Sequence, residues 1–162
     1  MANKFYKSIL FFIVCALALQ LNTNAQIGKL PPFQMLQANN KIFRAQNLPI
    51  GKPIIIIYFS PECHHCEILT KELVKKISSF KNVSIAMVTY YPVENVNQFI
   101  NKFSLSKFNN VYIGTEGNSF FLRGYYKILE MPFVALYTKN GDFIKSYSKN
   151  INLNNIINSL QN

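Results

Sequence analysis

Residues 54–66 of the chain read IIIIYFSPECHHC. The first six are apolar and mostly β-branched, which predicts a central strand that is covered on both faces. The last four, Cys63-His64-His65-Cys66, stand between that strand and a helical pattern. Because only two residues separate the cysteines, both sulfurs would lie on the first helical turn, close enough to form a small disulfide ring. The stretch therefore predicts a reactive dithiol at the end of a buried strand.

A helical pattern follows the first cysteine. Apolar residues recur at three- and four-residue steps as far as Phe80, and charged residues occupy the opposite face, so we predict one amphipathic helix over residues 63–80. Ser60 is predicted to be its N-cap, because a serine hydroxyl can accept an unpaired backbone N–H. Pro61 is predicted at the first helical position, where the missing N–H of proline has no cost.

The first 25 residues have the pattern of a secretory signal peptide. Lys4 and Lys7 form a basic start, residues 9–21 are mostly apolar but too few for a comfortable membrane span, and residues 23–25 have the small-x-small form of a cleavage site. Cleavage would leave residues 26–162 as one domain with a sizeable core. An uncleaved anchor is the alternative. Both predict a periplasmic or otherwise extracytoplasmic protein.

Cysteine and charge content narrow the possible functions. Cys15 lies in the leader, so the remaining chain has a single cysteine pair, whose short loop would constrain the unfolded chain very little. A chemical role is therefore expected for the pair. The net charge is +10, but the lysines are scattered from Lys29 to Lys149 without a basic and aromatic stripe. We expect a monomer that binds no nucleic acid.

The remaining sequence alternates strand and helix patterns. Strands are predicted at 33–36, 42–45, 54–59, 83–89, 110–113, 133–138 and 142–148, and further helices at 93–103, 119–127 and 153–160. The pairs Asn39-Asn40 and Asn140-Gly141 are typical of turns between neighbouring strands. Alternation implies parallel crossovers and the last hairpin adds antiparallel strands, which predicts an α/β fold with a mixed central sheet flanked by helices.

The order and spacing of these elements resemble the thioredoxin superfamily, specifically its secreted thiol-disulfide oxidoreductases of the TlpA/ResA kind. The resemblance spans about residues 32–160. It includes the strand and Cys-x-x-Cys pair of residues 54–66, the segment GYYKILEMPFVALY at 124–137 and the turn KNGD at 139–142. The extra strand and helix before Tyr125 are similar to the insertion that separates these secreted members from minimal thioredoxins.

The resemblance implies roles for the tetrapeptide. Cys63 would be the attacking thiolate and Cys66 would resolve the mixed disulfide, with no cofactor beyond the Cys63–Cys66 disulfide itself. A helix N-terminus independently stabilises a thiolate through its unpaired N–H groups and its dipole, and a protonated His64 or His65 would add to this. The strongly oxidising DsbA type has a histidine where His65 stands, which favours an oxidising couple. Reduction, oxidation and isomerisation of disulfides all stay open.

The resemblance also implies that Pro132 is a cis-proline facing the dithiol, and that Met131 offers backbone hydrogen bonds to an extended substrate segment. A trans proline at the start of a strand is the alternative. The expected partners are cysteine-containing protein substrates and a membrane redox protein that recharges the dithiol.

The chain departs from the family where other members carry an acidic residue. Ile57 stands six residues before the first cysteine, and Leu69 stands three residues after the second. The proton-transfer group therefore stays open. The candidates are Glu62, His64, His65 and Glu67.

Metal handling is the competing hypothesis, because cysteine and histidine bind zinc and copper. A structural zinc site takes four ligands from separate pieces of chain, and the sequence after the leader has no second cysteine or histidine pair. The Sco-like copper carriers of the same fold have a wider cysteine spacing and a distant histidine. We therefore expect dithiol chemistry without a bound metal, with copper or zinc handling as the alternative.

Overall fold

The computed structural model describes residues 28–161, so the predicted signal peptide lies outside the described residues. The strands are β1 (Gln34–Gln37), β2 (Ile42–Arg44), β3 (Ile54–Tyr58), β4 (Ser84–Thr89), β5 (Val111–Thr115), β6 (Phe133–Tyr137) and β7 (Phe143–Ser148). The α-helices are α1 (His64–Lys75), α2 (Val93–Phe103), α3 (Phe121–Tyr125) and α4 (Leu153–Gln161).

One mixed sheet contains these strands in the order β2-β1-β5-β4-β3-β6-β7. The neighbours β3, β4 and β5 are parallel, whereas β6 pairs antiparallel with β3 and with β7. The β1–β2 hairpin pairs antiparallel with β5 at the other edge. This arrangement confirms the predicted α/β fold with a mixed central sheet. The helix α2 and the strand β5 occupy the place of the predicted insertion.

The core lies on both faces of the sheet, and β3 contributes to each face. Ile55 and Ile57 pack on the face that α1 and α2 cover. Ile54, Ile56 and Tyr58 pack on the opposite face, against a separate apolar cluster. Because both faces of β3 are buried, its sequence is continuously apolar instead of alternating.

The dithiol helix starts within one residue of the predicted range of 63–80, but its cap and first residue differ from the predicted ones. Its N-cap is Cys63, and its first residue is His64. The prediction that Ser60 caps the helix and that Pro61 is its first residue was wrong. Instead, the carbonyl oxygen of Ser60 accepts the N–H of Cys63 at 3.1 Å, and its hydroxyl accepts the N–H of Glu62 at 3.3 Å. These bonds form a turn before the helix, and that turn brings the first cysteine to the helix end.

The predicted single helix over 63–80 is also interrupted. The α-helix ends at Lys75, and residues Ile77–Phe80 form a 3₁₀-helix. The N–H of Lys76 is shared between the carbonyl oxygens of Glu72 at 3.0 Å and Leu73 at 3.1 Å. A shared hydrogen bond of this kind is typical of a tightening helix end. The tighter winding brings Phe80 fully into the core.

Gly114 in β5 lies unusually close to β1. A Cβ atom added there would stand 2.6 Å from the backbone carbonyl oxygen of Leu36. Since a backbone atom cannot rotate away, we expect Gly114→Ala to lower the free energy of unfolding by about 1–3 kcal/mol. Gly124→Ala in α3 is the matched control, because its Cβ would meet nothing within 4 Å. Urea denaturation measures both, and a Gly114→Ala protein as stable as the Gly124→Ala protein would contradict the close approach.

Candidate active site

The dithiol lies at the edge of the sheet where the parallel strands end. The strand β3 ends at Tyr58, and five residues later the chain reaches Cys63 at the N-cap of α1. The carboxyl ends of β4 and β5 lie at the same edge, because β3, β4 and β5 run parallel to one another. The site therefore lies at the carboxyl end of a strand whose residues are all buried.

The two cysteines differ in exposure. Cys63 is partly exposed, whereas Cys66, in the first turn of α1, is only 1% exposed. Burial raises the pKa of the Cys66 thiol, and its contact with the Cys63 thiol raises it further, although a hydrogen bond with the Ser60 backbone acts in the opposite direction. Cys66 is therefore a protonated thiol at neutral pH, and Cys63 is the sulfur that another molecule can reach.

The loop before β6 packs against the first cysteine. The Met131–Pro132 peptide bond is cis, and Pro132 is buried. The thiol of Cys63 donates a hydrogen bond to the carbonyl oxygen of Met131, with a sulfur-to-oxygen distance of 3.6 Å. The structure thus brings together two segments that lie 68 residues apart in the sequence.

Both histidines are exposed on the first turn of α1. Their ring centroids are 6.2 Å apart in an edge-to-face arrangement. His65 and Pro132 line the same groove. His64 lies near Glu67 instead and is one of the groups that lower the pKa of the Glu67 carboxyl. The two rings therefore face different surroundings, although they are adjacent in sequence.

Comparison with solved structures identifies the fold. A secreted disulfide oxidoreductase of Mycobacterium tuberculosis, described as homologous to DsbE of E. coli, superposes with a TM-score of 0.65 at 15% identity, covering 79% of this chain and 93% of that chain. The chain has a thioredoxin-like fold. Arabidopsis thaliana ScoI with copper bound is also similar, with a TM-score of 0.64 at 17% identity, covering 82% of this chain and 97% of that chain.

Comparison of sequences gives a match to part of this chain. No protein-family model matches the chain. A stretch of 85 residues is 34% identical to protein disulfide-isomerase like 2-2 of Arabidopsis thaliana, which is 52% of this chain and 19% of that protein. The match therefore spans about a fifth of that relative.

The acidic residues beside the dithiol of this thioredoxin-like domain lie at its rim. A hydrogen bond from Lys102 holds the pKa of Glu67 below its usual value, and the nearby charge of Lys71 acts in the same direction. Glu67 is therefore a carboxylate at neutral pH and has no proton to donate. Glu62 is exposed and accepts a hydrogen bond from the hydroxyl of Tyr91 at 3.0 Å.

A buried carboxylate at the same edge of the sheet was not predicted. Glu116 follows β5 and accepts the hydroxyl of Tyr58 at 2.7 Å and the N–H of Leu122 at 2.8 Å. Burial raises the pKa of Tyr58, and the bond to Glu116 raises it further, so the phenol stays a donor. Glu116 thereby ties the end of β3 to the start of α3. In the sequence, Glu116 is recognisable only as an acidic residue directly after an apolar strand. That position does not indicate which groups the carboxylate contacts.

The tetrapeptide does not form a metal-binding cluster. Within the part of the chain that the structure describes, no three histidine, cysteine or acidic side chains are placed to share a metal ion. Cys66 is buried, while His64 and His65 are exposed.

None of the helices between residues 28 and 161 has the length and apolar character needed to cross a bilayer.

Proposed function

We propose that this protein is an extracytoplasmic thiol-disulfide oxidoreductase that exchanges disulfides with protein substrates. The observation that carries the proposal is the placement of Cys63, which is partly exposed at the N-cap of α1, against the Met131 carbonyl, with Cys66 buried behind it. The similarity in fold to a secreted disulfide oxidoreductase supports it. The predicted signal peptide supports a location outside the cytoplasm.

The exchange takes two steps. The thiolate of Cys63 attacks one sulfur of a substrate disulfide, which forms a mixed disulfide and releases the other substrate sulfur as a thiolate that takes a proton from water. Cys66 then gives its proton to water, and its thiolate attacks the sulfur of Cys63. The second substrate sulfur leaves as a thiolate and takes up a proton, so the substrate has gained two electrons and two protons and the protein holds the Cys63–Cys66 disulfide. The reverse sequence oxidises a substrate dithiol.

We propose that the oxidising direction is the physiological one and that a membrane redox protein restores the disulfide. His65 directly precedes the second cysteine, and a cationic imidazole beside the site would stabilise the thiolate of the reduced form. Stabilising the reduced form raises the reduction potential of the couple. Met131 and Pro132 are proposed to receive the substrate segment, because they adjoin the reactive sulfur.

The reduction potential tests this direction. The protein is equilibrated with glutathione buffers, its thiols are trapped by alkylation, and the fraction reduced is measured. We expect a value of about −120 to −180 mV, as in disulfide-forming and isomerising proteins, and a fall of about 30 mV in His65→Gln. His64→Gln is the matched control and should shift the potential less. A potential near about −270 mV, as in thioredoxin, would contradict the oxidising direction but not the exchange itself.

Handling of copper or zinc is a second candidate, because Arabidopsis thaliana ScoI, which is similar in fold, has copper bound. Titration of the reduced protein with Cu(I) or Zn(II) in the presence of a competing chelator tests it. Stoichiometric binding that is lost in His65→Gln, in a protein that does not reduce insulin, would favour metal handling. Insulin reduction without such binding would favour disulfide exchange.

A further inference from the structure

A groove leads away from the dithiol along one side of α1. Its volume is about 680 Å³, and it runs between α1 and the segment that enters α4. His65 and Pro132 line the end beside the redox pair, whereas Lys75 and Lys76 line the other end. The groove therefore begins at His65 and Pro132, which are adjacent in sequence to Cys66 and to Met131, the residue that contacts Cys63.

Positive charge dominates this groove. Lys75, Lys76 and Lys149 line it together with Glu72, and Lys149 forms an ion pair with Glu130 at 3.0 Å. Between residues 28 and 161, no carboxylate lies within ion-pair distance of Lys75 or Lys76. Lys76 donates instead to the neutral amide oxygen of Asn154 at 2.7 Å. Two of the three lysines are thus available to pair with an acidic partner.

The opposite wall of the groove adds to the positive potential. Asn152 and Asn154, at the N-terminus of α4, line that wall. A helix N-terminus has a partial positive charge, and the first turn of α4 contains no acidic residue that would offset it. Both walls therefore favour negative charge, which matches the groove to an acidic segment.

The length of the groove fixes where that acidic segment lies. Lys75 is ten positions after His65 on α1, which is about 15 Å along the helix at about 1.5 Å per residue. An extended peptide covers the same distance in about four or five residues, at about 3.3 Å each. A substrate bonded to Cys63 would therefore bring its fourth or fifth residue from the cysteine to the lysines.

We propose that this groove selects protein substrates that have acidic residues four or five positions from the reactive cysteine. The proposal rests on the proposed function, because it needs the substrate to be bonded to Cys63. The pairing is between exposed charges, so its contribution is modest and is screened by salt.

Synthetic peptides test the proposal. Each peptide has one cysteine, which forms a mixed disulfide with thionitrobenzoate. Aspartate, glutamine or lysine occupies the fourth and fifth positions from that cysteine on both sides. The Cys63 thiolate attacks the peptide sulfur and releases the coloured thiolate, whose appearance gives a second-order rate constant. At low salt, we expect aspartate peptides to react about tenfold faster than lysine peptides, and the ratio to approach one at about 1 M salt.

Variants of the groove identify the residues responsible. Lys75→Gln with Lys76→Gln should reduce the aspartate-to-lysine ratio to about twofold, and Lys75→Glu with Lys76→Glu should reverse it. Lys41→Gln with Lys139→Gln removes the same charge from two exposed turns outside the groove and should keep the ratio. Because both rates in a ratio are measured with the same protein, any effect of the substitutions on the reactivity of Cys63 cancels.

Two outcomes would overturn the proposal. Equal rates for aspartate and lysine peptides with the unmodified protein would show that the groove does not select charge. A preference that survives in Lys75→Gln with Lys76→Gln would place the selection elsewhere. A neutral small disulfide, hydroxyethyl disulfide, separates these failures from failure of the proposed function: if it also fails to react, exchange through Cys63 is wrong and the groove proposal falls with it.

Discussion

Cys63→Ser should abolish disulfide exchange. A serine hydroxyl does not ionise near neutral pH and cannot form a mixed disulfide, so the rate of insulin reduction should fall by about three orders of magnitude or more. Folding should be preserved, because the residue is partly exposed and a hydroxyl can still donate to the carbonyl oxygen of Met131. Turbidity of insulin with dithiothreitol measures the rate, and circular dichroism monitors the fold.

Cys66→Ser is the matched control for this experiment. It keeps the attacking sulfur but removes the resolving one, so turnover should stop after the first step and an adduct should accumulate between protein and substrate. Non-reducing electrophoresis detects that adduct, and a reductant should cleave it. Two results would contradict the assignment of roles: turnover in Cys63→Ser within about tenfold of the unmodified protein, or an adduct that forms through Cys66 instead.

The sequence was sufficient to predict the framework of the site because local patterns specify it. A continuous apolar run indicates a strand covered on both faces, and the helical pattern after it places the cysteines at a strand-to-helix junction. Both features depend on residues that lie within about one turn or one strand of each other. The order of the remaining elements, together with the hairpin at Asn140-Gly141, then indicated the mixed sheet.

Contacts between distant segments could not be predicted in the same way. No local pattern connects Tyr58 with Glu116, which meet only because β3 and β5 end at the same edge of one sheet. The placement of Met131 beside Cys63 was expected from the resemblance alone. The groove depends on how α1 packs beside α4. The sequence therefore does not reveal that Lys149 lies in the same groove as Lys75 and Lys76.

The helix start shows a different limit. Ser60 and Pro61 both suit the first turn of a helix, and propensity alone favours a helix that begins there. In the structure the Ser60 carbonyl and hydroxyl bond to residues of the turn, and the helix begins at His64. The position of the start decides the chemistry, because it makes Cys63 the N-cap and leaves Cys66 inside the first turn.

Release of substrate from the mixed disulfide should accelerate steeply with pH. The attacking group in that step is the thiolate of Cys66, and burial raises the pKa of this thiol, so little of it is ionised at neutral pH. Below that pKa the ionised fraction grows tenfold per pH unit. We therefore expect the rate of release to rise by about a hundredfold between about pH 6 and pH 8.

The protein reacts with one of the thionitrobenzoate-labelled peptides, which forms the mixed disulfide between Cys63 and the peptide. Samples are quenched with acid at successive times, and mass spectrometry measures how much mixed disulfide is left. Adduct formation by Cys66→Ser is the control, because that reaction uses only the sulfur of Cys63 and should follow a different pH profile. A release rate that stays flat between about pH 6 and pH 8 would contradict attack by an unassisted, buried thiol. In that case a base beside the dithiol must accept the proton of Cys66. The exposed imidazoles of His64 and His65 are the groups to replace next, since both are adjacent to the cysteines in the first turn of α1.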